Sequence, residues 1–387
     1  MAYLKRNSSI LSILGILFFL AGLLWNACNH GGDFKVFYLA GERFLTHQSV
    51  YNPADGWSPF KYHPAWAVVF SLWSLLPFTL ATLAFNAVNM GLWIWAAHSW
   101  SKLLNYKITT TSFLILVVLS LNAMSAETAY GQINGLLFWG ATQIFLWLED
   151  STQKPFRSGL LLAVLISLKL NLGILLFYAL YKNWRTALGL LGGALVLHGI
   201  VSLSFGDIVN WGLYHSWLDL LMTQSKEQFN TFEVQSVLRV CYVLFGESLA
   251  KTIWAGLLGL AVVLGIYLDR THKHENPQQR TALAGGYWLA IIFFFSPLAW
   301  WYQVLYLFPL AFLLLKNSTL PKAQWLARIC LCSFAFISFN TIGRAGIFSY
   351  KFYMGYFAAG MILWLYFLWD RVRPAQAQIS LSAEKAA

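Results

Sequence analysis

Asp33 opens the most chemically loaded stretch of the chain. Residues 29–64 read NHGGDFKVFYLAGERFLTHQSVYNPADGWSPFKYHP and follow an apolar run at residues 9–27. Connectors between membrane helices are usually short and polar. This one carries enough aromatic and apolar residues to fold down onto a membrane surface. A carboxylate held there can take the proton from an attacking hydroxyl, which is the work of a general base. By residue type alone, Asp33 serves equally well as a solvated loop acid or as the N-cap of a following helix, where Asp is favoured. Glu42 is followed directly by Arg43 and reads as an ion pair or a solvated residue.

A second set of residues suits anion binding. Lys169, Arg239 and Arg344 are each flanked by apolar sequence. A leaving group that gains negative charge needs cations or donors where that charge develops. Long basic side chains near helix ends also snorkel to lipid headgroups, so each has a plainer reading. Lys35 and Lys61 sit in a loop, where a solvated Lys needs no explanation. A third set is polar and stands at helix ends. Glu127, Tyr130, Gln132 and Asn134 interrupt the apolar sequence in SAETAYGQING, Gln235 opens a short amphipathic stretch, and Tyr302 and Gln303 follow SPLAWW. Such groups can bind sugar hydroxyls, and they equally make hydrogen bonds between membrane helices. His63 can contact phosphate or sugar, or be structural.

Several chemistries find no support. There is no phosphate-binding glycine loop, no dinucleotide fingerprint, no HExxH and no CxxC. Cys28, Cys241, Cys330 and Cys332 show neither paired nor metal-ligand spacing, so neither disulfide nor metal site is expected. No cofactor and no nucleic acid are implied. The 19 Trp and 18 Tyr are spread through the chain and fit an aromatic belt at the membrane interfaces.

The elements that must position these residues are membrane helices. Of 387 residues, 58% are hydrophobic and only 11% charged, too little polar surface to cover a soluble globule of that size. Apolar runs of helix length recur from residue 9 to residue 369, which predicts an all-α polytopic membrane protein. The first run lacks a small-x-small cleavage pattern and reads as a retained helix. About twelve spans with both termini inside are expected, near 9–27, 79–100, 110–126, 134–148, 158–168, 170–181, 186–204, 249–268, 283–297, 302–315, 325–342 and 352–369. This arrangement puts 17 of the 26 basic residues and 6 of the 15 acids on the cytoplasmic side. The whole net charge of +11 then falls on one face, as the positive-inside rule asks.

Two apolar stretches are demoted from spans. Residues 64–77, PAWAVVFSLWSLLP, are too short to cross a core of about 30 Å comfortably. Residues 235–247 are similarly short, and Arg239 would be costly at the bilayer centre. Both read as helices lying on the outer face. The pair 158–168 and 170–181 reads as a hairpin, since Arg157 at one end and Lys182 and Arg185 at the other put both ends in the cytoplasm. Lys169 then sits at its tip, within the membrane's depth, where it needs an anion or water. One long tilted span with Lys169 paired to an internal acid is the alternative. The hairpin reading predicts a cavity shared by Lys169 and Asp33, roofed by the helices 64–77 and 235–247. Residues 1–374 make one integral-membrane domain, with a catalytic loop at 29–78, a second outer segment at 205–248 and a disordered cytoplasmic tail at 375–387.

The order of these features resembles glycosyltransferase family 87. GGDFKVFYLAGERFLTHQSVYNP followed by FKYHPAWAVVFSLWSLLP is similar to that family's entry signature. GQIN at 131–134 is similar to its Gly-Gln-x-Asn step, and LKLNLGILLFYALYKNWRTAL to its Lys-containing broken helix and basic inner turn. SPLAWWYQ at 296–303 resembles a Ser-Pro-x-Ser-Trp-x-His-His-like step, with Tyr302 and Gln303 where the family has His. Tyr62-His63-Pro64 departs from its Tyr-Pro-Pro-like step. No role of those His residues carries over to Tyr302 and Gln303.

The resemblance implies a GT-C-type bundle in the plasma (inner) membrane. It would move a hexose, typically mannose, from a polyprenyl-phosphate carrier to a lipid or glycan acceptor on the extracytoplasmic side. The anomeric carbon would invert, with Asp33 as the base and Lys169 at the donor phosphate. Arg239, Arg344, His63, Gln132, Asn134, Gln235, Tyr302 and Gln303 complete the candidate donor site, and membrane lipids are the remaining partners. The rival readings are a transporter or flippase of lipid-linked sugars, and a surface-glycan polymerase or ligase.

Overall fold

The computed structural model describes residues 32–52, 59–106, 110–150, 153–206, 211–228, 233–272, 275–317, 321–337 and 339–372, together with Ala21, Gly22, Trp25 and Thr231. The first expected span at 9–27, Cys28 and the tail at 375–387 lie largely or wholly outside these residues. Among them, every regular element is a helix, apart from an isolated antiparallel bridge between Val234 and Trp300.

The chain runs α1 (Gly32–Leu45), α2 (Ala65–Ser74), α3 (Phe78–Leu103), α4 (Thr110–Tyr130), α5 (Asn134–Glu149), α6 (Pro155–Leu168), α7 (Ile174–Lys182) and α8 (Thr186–Phe205). It continues through α9 (Trp211–Gln228), α10 (Val237–Thr271), α11 (Pro277–Phe295), α12 (Phe308–Asn317), α13 (Pro321–Phe336), α14 (Phe339–Phe352) and α15 (Gly355–Val372). Short 3-10 turns, Leu170–Gly173 and Trp301–Leu307, lead into α7 and α12. Among the described residues, three helices are long and apolar enough to cross a bilayer: Phe78–Leu103, Thr186–Phe205 and Val237–Thr271. Five further apolar helices among the described residues are shorter, at 10–17 residues, and a count of twelve spans does not follow from these helices. Large apolar side chains on α8 (Leu188, Leu191, Leu195, Leu203) and α10 (Leu249, Leu260, Val263) point outward, as lipid-facing surfaces do.

Local sequence sets most boundaries. Pro64 and Pro77 frame α2. Pro155 and Pro277 take first-turn positions, where a missing N–H costs nothing, and the Asn276 side chain accepts from the Gln279 amide to cap α11. Gly246, in the left-handed region at φ 72°, breaks α10 into a short leg and a long one. The short leg lies within the segment 235–247, expected to form a helix separate from the span that follows it. The expected span 325–342 is corrected: α13 stops at Phe336, and α14 is itself broken at Gly343, φ 71°. A helix cannot run straight through a left-handed residue.

α11 is the axis of the bundle. Every residue from Thr281 to Phe295 is buried, which an apolar helix tolerates only when surrounded. α6 and α8 approach closely through small residues. A Cβ on Gly159 would run into the Thr186 carbonyl and Leu190 backbone, and one on Gly189 into the Phe156 carbonyl.

The hairpin geometry is explicit. The α6–α7 unit starts and ends at the same place, because the Asn183 side-chain amide donates to the Gln153 side chain at 2.8 Å. Beside that closure, Lys182 Nζ lies 2.5 Å from Glu149 Oε1 and 2.6 Å from Asp269 Oδ1. Arg280 Nε donates to Glu149 Oε2 at 2.7 Å, and the Tyr178 hydroxyl donates to Glu149 Oε1 at 2.8 Å. Lys169, at the turn, touches the other end of α5 at Asn134. The 16 residues of α5 therefore separate the two polar ends, by about 22 Å at 1.5 Å per residue.

Candidate functional site

Asp33 stands in the first turn of α1, where a carboxylate is favoured by the helix dipole. Aromatic packing fixes that turn. Phe37 stacks on Phe70 of α2 with ring centroids 4.6 Å apart, and Phe34 lies 4.7 Å from Phe85 of α3. Tyr38 and Ser74 tie α1 to α2 again: the Tyr38 hydroxyl donates to the Leu76 carbonyl at 2.9 Å, and the Ser74 hydroxyl donates to the Tyr38 carbonyl at 2.7 Å. Gly32 lets the start of α1 lie against the end of α4, since a Cβ there would come within 2.5 Å of Tyr130 Cα.

The turn between α4 and α5 supplies the next groups. Gly131 adopts φ 61°, the left-handed conformation that ends α4, and its bare Cα packs against Phe34. Asn89 of α3 clamps the turn from both sides, donating to the Gln132 carbonyl at 2.7 Å and accepting from the Leu136 amide at 3.1 Å. The Gln132 side chain then faces the acid and the cation together. Its Nε2 donates to Asp33 Oδ2, and its Oε1 accepts from Lys169 Nζ at 3.3 Å. Lys169 breaks the hairpin in an extended conformation, φ −143° and ψ 113°. Its ammonium also donates to Asn134 Oδ1 at 2.9 Å, and Asn134 Nδ2 in turn donates to Glu127 Oε1 at 2.6 Å.

These groups sit in the wall of a cavity of about 730 Å³. Asp33, Gln132 and Lys169 line it, together with Lys61, Tyr130, Asn171, Tyr302, Trp300, Glu233 and Lys251. Glu233 is already paired, its two oxygens 3.0 and 2.9 Å from Lys351 Nζ. Lys61, Lys169 and Lys251 therefore share this lining with two acids, Asp33 and Glu233, and Lys351 pairs with Glu233 from outside it. Burial pushes the Asp33 carboxyl above the usual carboxylate range, against the opposing pulls of Lys169, the Gln132 hydrogen bond and Lys61. A carboxylate raised in this way is a better proton acceptor than a solvated one.

The expected site residues divide into three groups. Asp33, Gln132, Lys169 and Tyr302 line the cavity, and Asn134 stands directly behind Lys169. Gln303 joins from behind, donating weakly to Asn134 Oδ1 at 3.4 Å. His63 lies just outside the lining, its ring among Tyr214 and Trp217 and its Nδ1 accepting from the Ala65 amide at 3.3 Å. Burial pushes that imidazole down to about 4, which favours its neutral form.

Arg239, Gln235 and Arg344 are corrections. Arg239 donates to the Val234 carbonyl at 2.9 Å and does not line the cavity. The Gln235 amide is consumed by backbone, donating to the Lys351 carbonyl at 3.0 Å and accepting from the Phe357 amide at 3.2 Å. It fastens α14 and α15 to the bundle. Arg344 is exposed beside the Gly343 break and is absent from the lining.

The roof is a correction too. It comes from Trp217, Leu221 and Met222 of α9 and the segments 59–62 and 296–302, whereas no residue of 64–77 or 235–247 lines the cavity. Asn89 and Asn171 were missed. Asn89 carries a legible signal, an amide in the middle of an apolar helix, which in a membrane bundle marks an interhelical bond. Among the described residues, no group of three or more His, Cys, Asp or Glu stands close enough to hold a metal ion.

An all-helical bundle with lipid-facing apolar helices, enclosing an acid and a cation in one cavity at one end, defines a membrane protein with a buried polar site. Residues 60–297 match glycosyltransferase family 87, and the chain belongs to that family of glycosyltransferases. The match takes in the Gln132 turn and Lys169 and begins after Asp33. No curated protein and no solved structure matches the chain.

Proposed function

We propose that the protein moves a hexose, mannose by family resemblance, from a polyprenyl-phosphate carrier to an acceptor hydroxyl on the extracytoplasmic side of the plasma membrane. Asp33 takes the acceptor proton as the hydroxyl oxygen attacks the anomeric carbon. The bond from that carbon to the phosphate oxygen breaks on the opposite face, so the configuration inverts, and the electron pair leaves on the polyprenyl phosphate. Lys169 balances the charge that the phosphate gains. The acceptor is a lipid or a glycan.

The observation that carries this reading is the bridge through Gln132. One amide holds Asp33 and Lys169 side by side in the wall of a single cavity, although they lie far apart in the sequence. Net positive lining supports an anionic donor, and the position of the cavity at the end opposite the Lys182–Glu149 cluster supports outer-face chemistry. A loop rich in Lys and Arg marks the cytoplasmic side.

The test is purified protein in detergent with polyprenyl-phosphate hexoses and a cell-lipid acceptor extract, following release of polyprenyl phosphate. Release should be seen with at least one hexose and be abolished in Asp33→Asn. A folded Asp33→Asn protein that transfers at the full rate would refute the assignment of the base. No release with any donor would refute the transfer itself.

A further inference from the structure

We propose that Glu127, a buried acid with no part in the transfer step, is a positioning residue for Lys169. It orients the Asn134 amide and so keeps the Lys169 ammonium placed for the donor phosphate through the whole reaction. The proposal rests on the donor reading above and extends it to a carboxyl that the substrate never touches.

Lys169 ends the first leg of the hairpin with an ammonium that carries three N–H donors and no acceptor. Two of its hydrogen bonds go to side-chain amide oxygens, Asn134 Oδ1 at 2.9 Å and Gln132 Oε1 at 3.3 Å. Each of those amides is held at its other end by a carboxyl. Gln132 Nε2 donates to Asp33 Oδ2, and Asn134 Nδ2 donates to Glu127 Oε1 at 2.6 Å. The two halves differ in access. Asp33 lines the cavity, whereas Glu127 and Asn134 are buried behind it and do not.

Local sequence puts Glu127 there. It stands in the last turn of α4, and the left-handed Gly131 reverses the chain so that the Gln132 amide donates to the Glu127 carbonyl at 2.9 Å. The backbone of Glu127 thus holds one of the two amides that reach Lys169, and its side chain holds the other.

An amide offers an acceptor at one end and donors at the other, so a carboxyl oxygen on Nδ2 turns Oδ1 toward Lys169. Gln303 Nε2 donates weakly to the same oxygen at 3.4 Å, in agreement with that orientation. Without Glu127 the Asn134 NH2 group would be left buried and unpaired, and the amide would be free to rotate away from the ammonium. The difference in access then matters for turnover. When Asp33 takes the acceptor proton, its half of the support weakens as the phosphate gains charge. The Glu127–Asn134 half lies outside the reaction and holds Lys169 in place, with its third N–H left for a phosphate oxygen.

The experiment measures binding of a short-chain prenyl phosphate by titration calorimetry in detergent, and donor kcat/KM by prenyl-phosphate release. Glu127→Leu keeps the backbone carbonyl that closes the turn. It should weaken both quantities by about tenfold, while the acceptor KM stays within about twofold of wild type. Glu127→Gln keeps an oxygen that can accept from Asn134 Nδ2 and should recover to within about threefold of wild type. With Lys169→Met already in place, Glu127→Leu should weaken prenyl-phosphate binding by less than about twofold more, because a residue that acts through another has no effect once the other is gone. A role in folding alone would give a loss that persists in that background. Asn134→Ala cuts the same link from its other side, carries the same expectations, and serves as the readout if Glu127→Leu fails to fold.

The proposal is overturned if Glu127→Leu keeps wild-type binding, if its loss is as large beside Lys169→Met, or if Glu127→Gln falls as far as Glu127→Leu. Failure of the donor reading looks different, since Lys169→Met alone would then bind prenyl phosphate as wild type does.

Discussion

Replacing Gln132 by Leu tests the bridge directly. The substitution keeps the bulk and removes both polar ends of the side chain. The turn itself should survive, because Asn89 holds it through the backbone carbonyl of Gln132 and the amide of Leu136. Two interactions are lost: the donation to the Asp33 carboxylate and the acceptance from Lys169 at 3.3 Å. A hydrogen bond to a charged group is worth about 1.5–3 kcal/mol, and the long contact to Lys169 adds little. The expected loss in kcat/KM is therefore roughly 2–3 kcal/mol, or about 30- to 150-fold. Gln132 also helps to hold Asp33 ionised, so its removal should carry the acid limb of the pH profile to higher pH. The assay is prenyl-phosphate release across a pH series, with thermal unfolding in detergent as the folding control. A variant that keeps wild-type kcat/KM within twofold, or whose acid limb stays in place, would refute the bridge as a functional element.

Four further outcomes follow from the same geometry. The Asp33 carboxylate is needed as a base, and its folded value lies above the usual range, so activity is present at higher pH and is lost as pH falls through that raised value. Lys169→Met removes the largest of the pulls that oppose burial, so its acid limb should move further up than that of Gln132→Leu; an unmoved limb in the pH profile would contradict the coupling. Glu149→Ala strips a buried acceptor from Lys182, Arg280 and Tyr178 and should cost about 3–5 kcal/mol, seen as a lower unfolding temperature in detergent, while turnover at permissive temperature persists because the cavity is a helix length away. Gly131→Ala forces a side chain into the left-handed region and against Phe34; beyond about 1–2 kcal/mol of strain it should displace Gln132, and full retention of transfer in the release assay would argue that the turn does not position the site.

The sequence by itself determined the class of molecule and the two poles of its site. Composition and run length dictate a helical membrane bundle, because residues that avoid water must be buried in protein or lipid wherever the chain later folds. The break at Lys169 was legible for a similar reason. A lysine in the middle of an apolar run, with basic residues at both ends of the run, makes a straight crossing costly, and the chain does turn there. Asp33, Gln132 and Asn134 were legible as polar interruptions of apolar sequence. Such signals are local costs, readable one segment at a time.

Tertiary structure decided which of the remaining polar groups belong together. Arg239 and Gln235 carried the same sequence signal as Lys169 and Gln132, a polar group beside an apolar helix, yet Arg239 turns a guanidinium NH to the Val234 carbonyl and the Gln235 amide bonds the Lys351 carbonyl and the Phe357 amide. Asn171 reads as an ordinary loop amide until Ser296, on a distant helix, is seen to fix one end of it. The roof formed by Trp217, Leu221 and Met222 likewise follows from where α9 packs, not from its own composition. Hydrogen bonds reach only about 3 Å. Whether a polar side chain meets a ligand or a neighbouring carbonyl is therefore set by the packing of helices that the chain brings together from far apart.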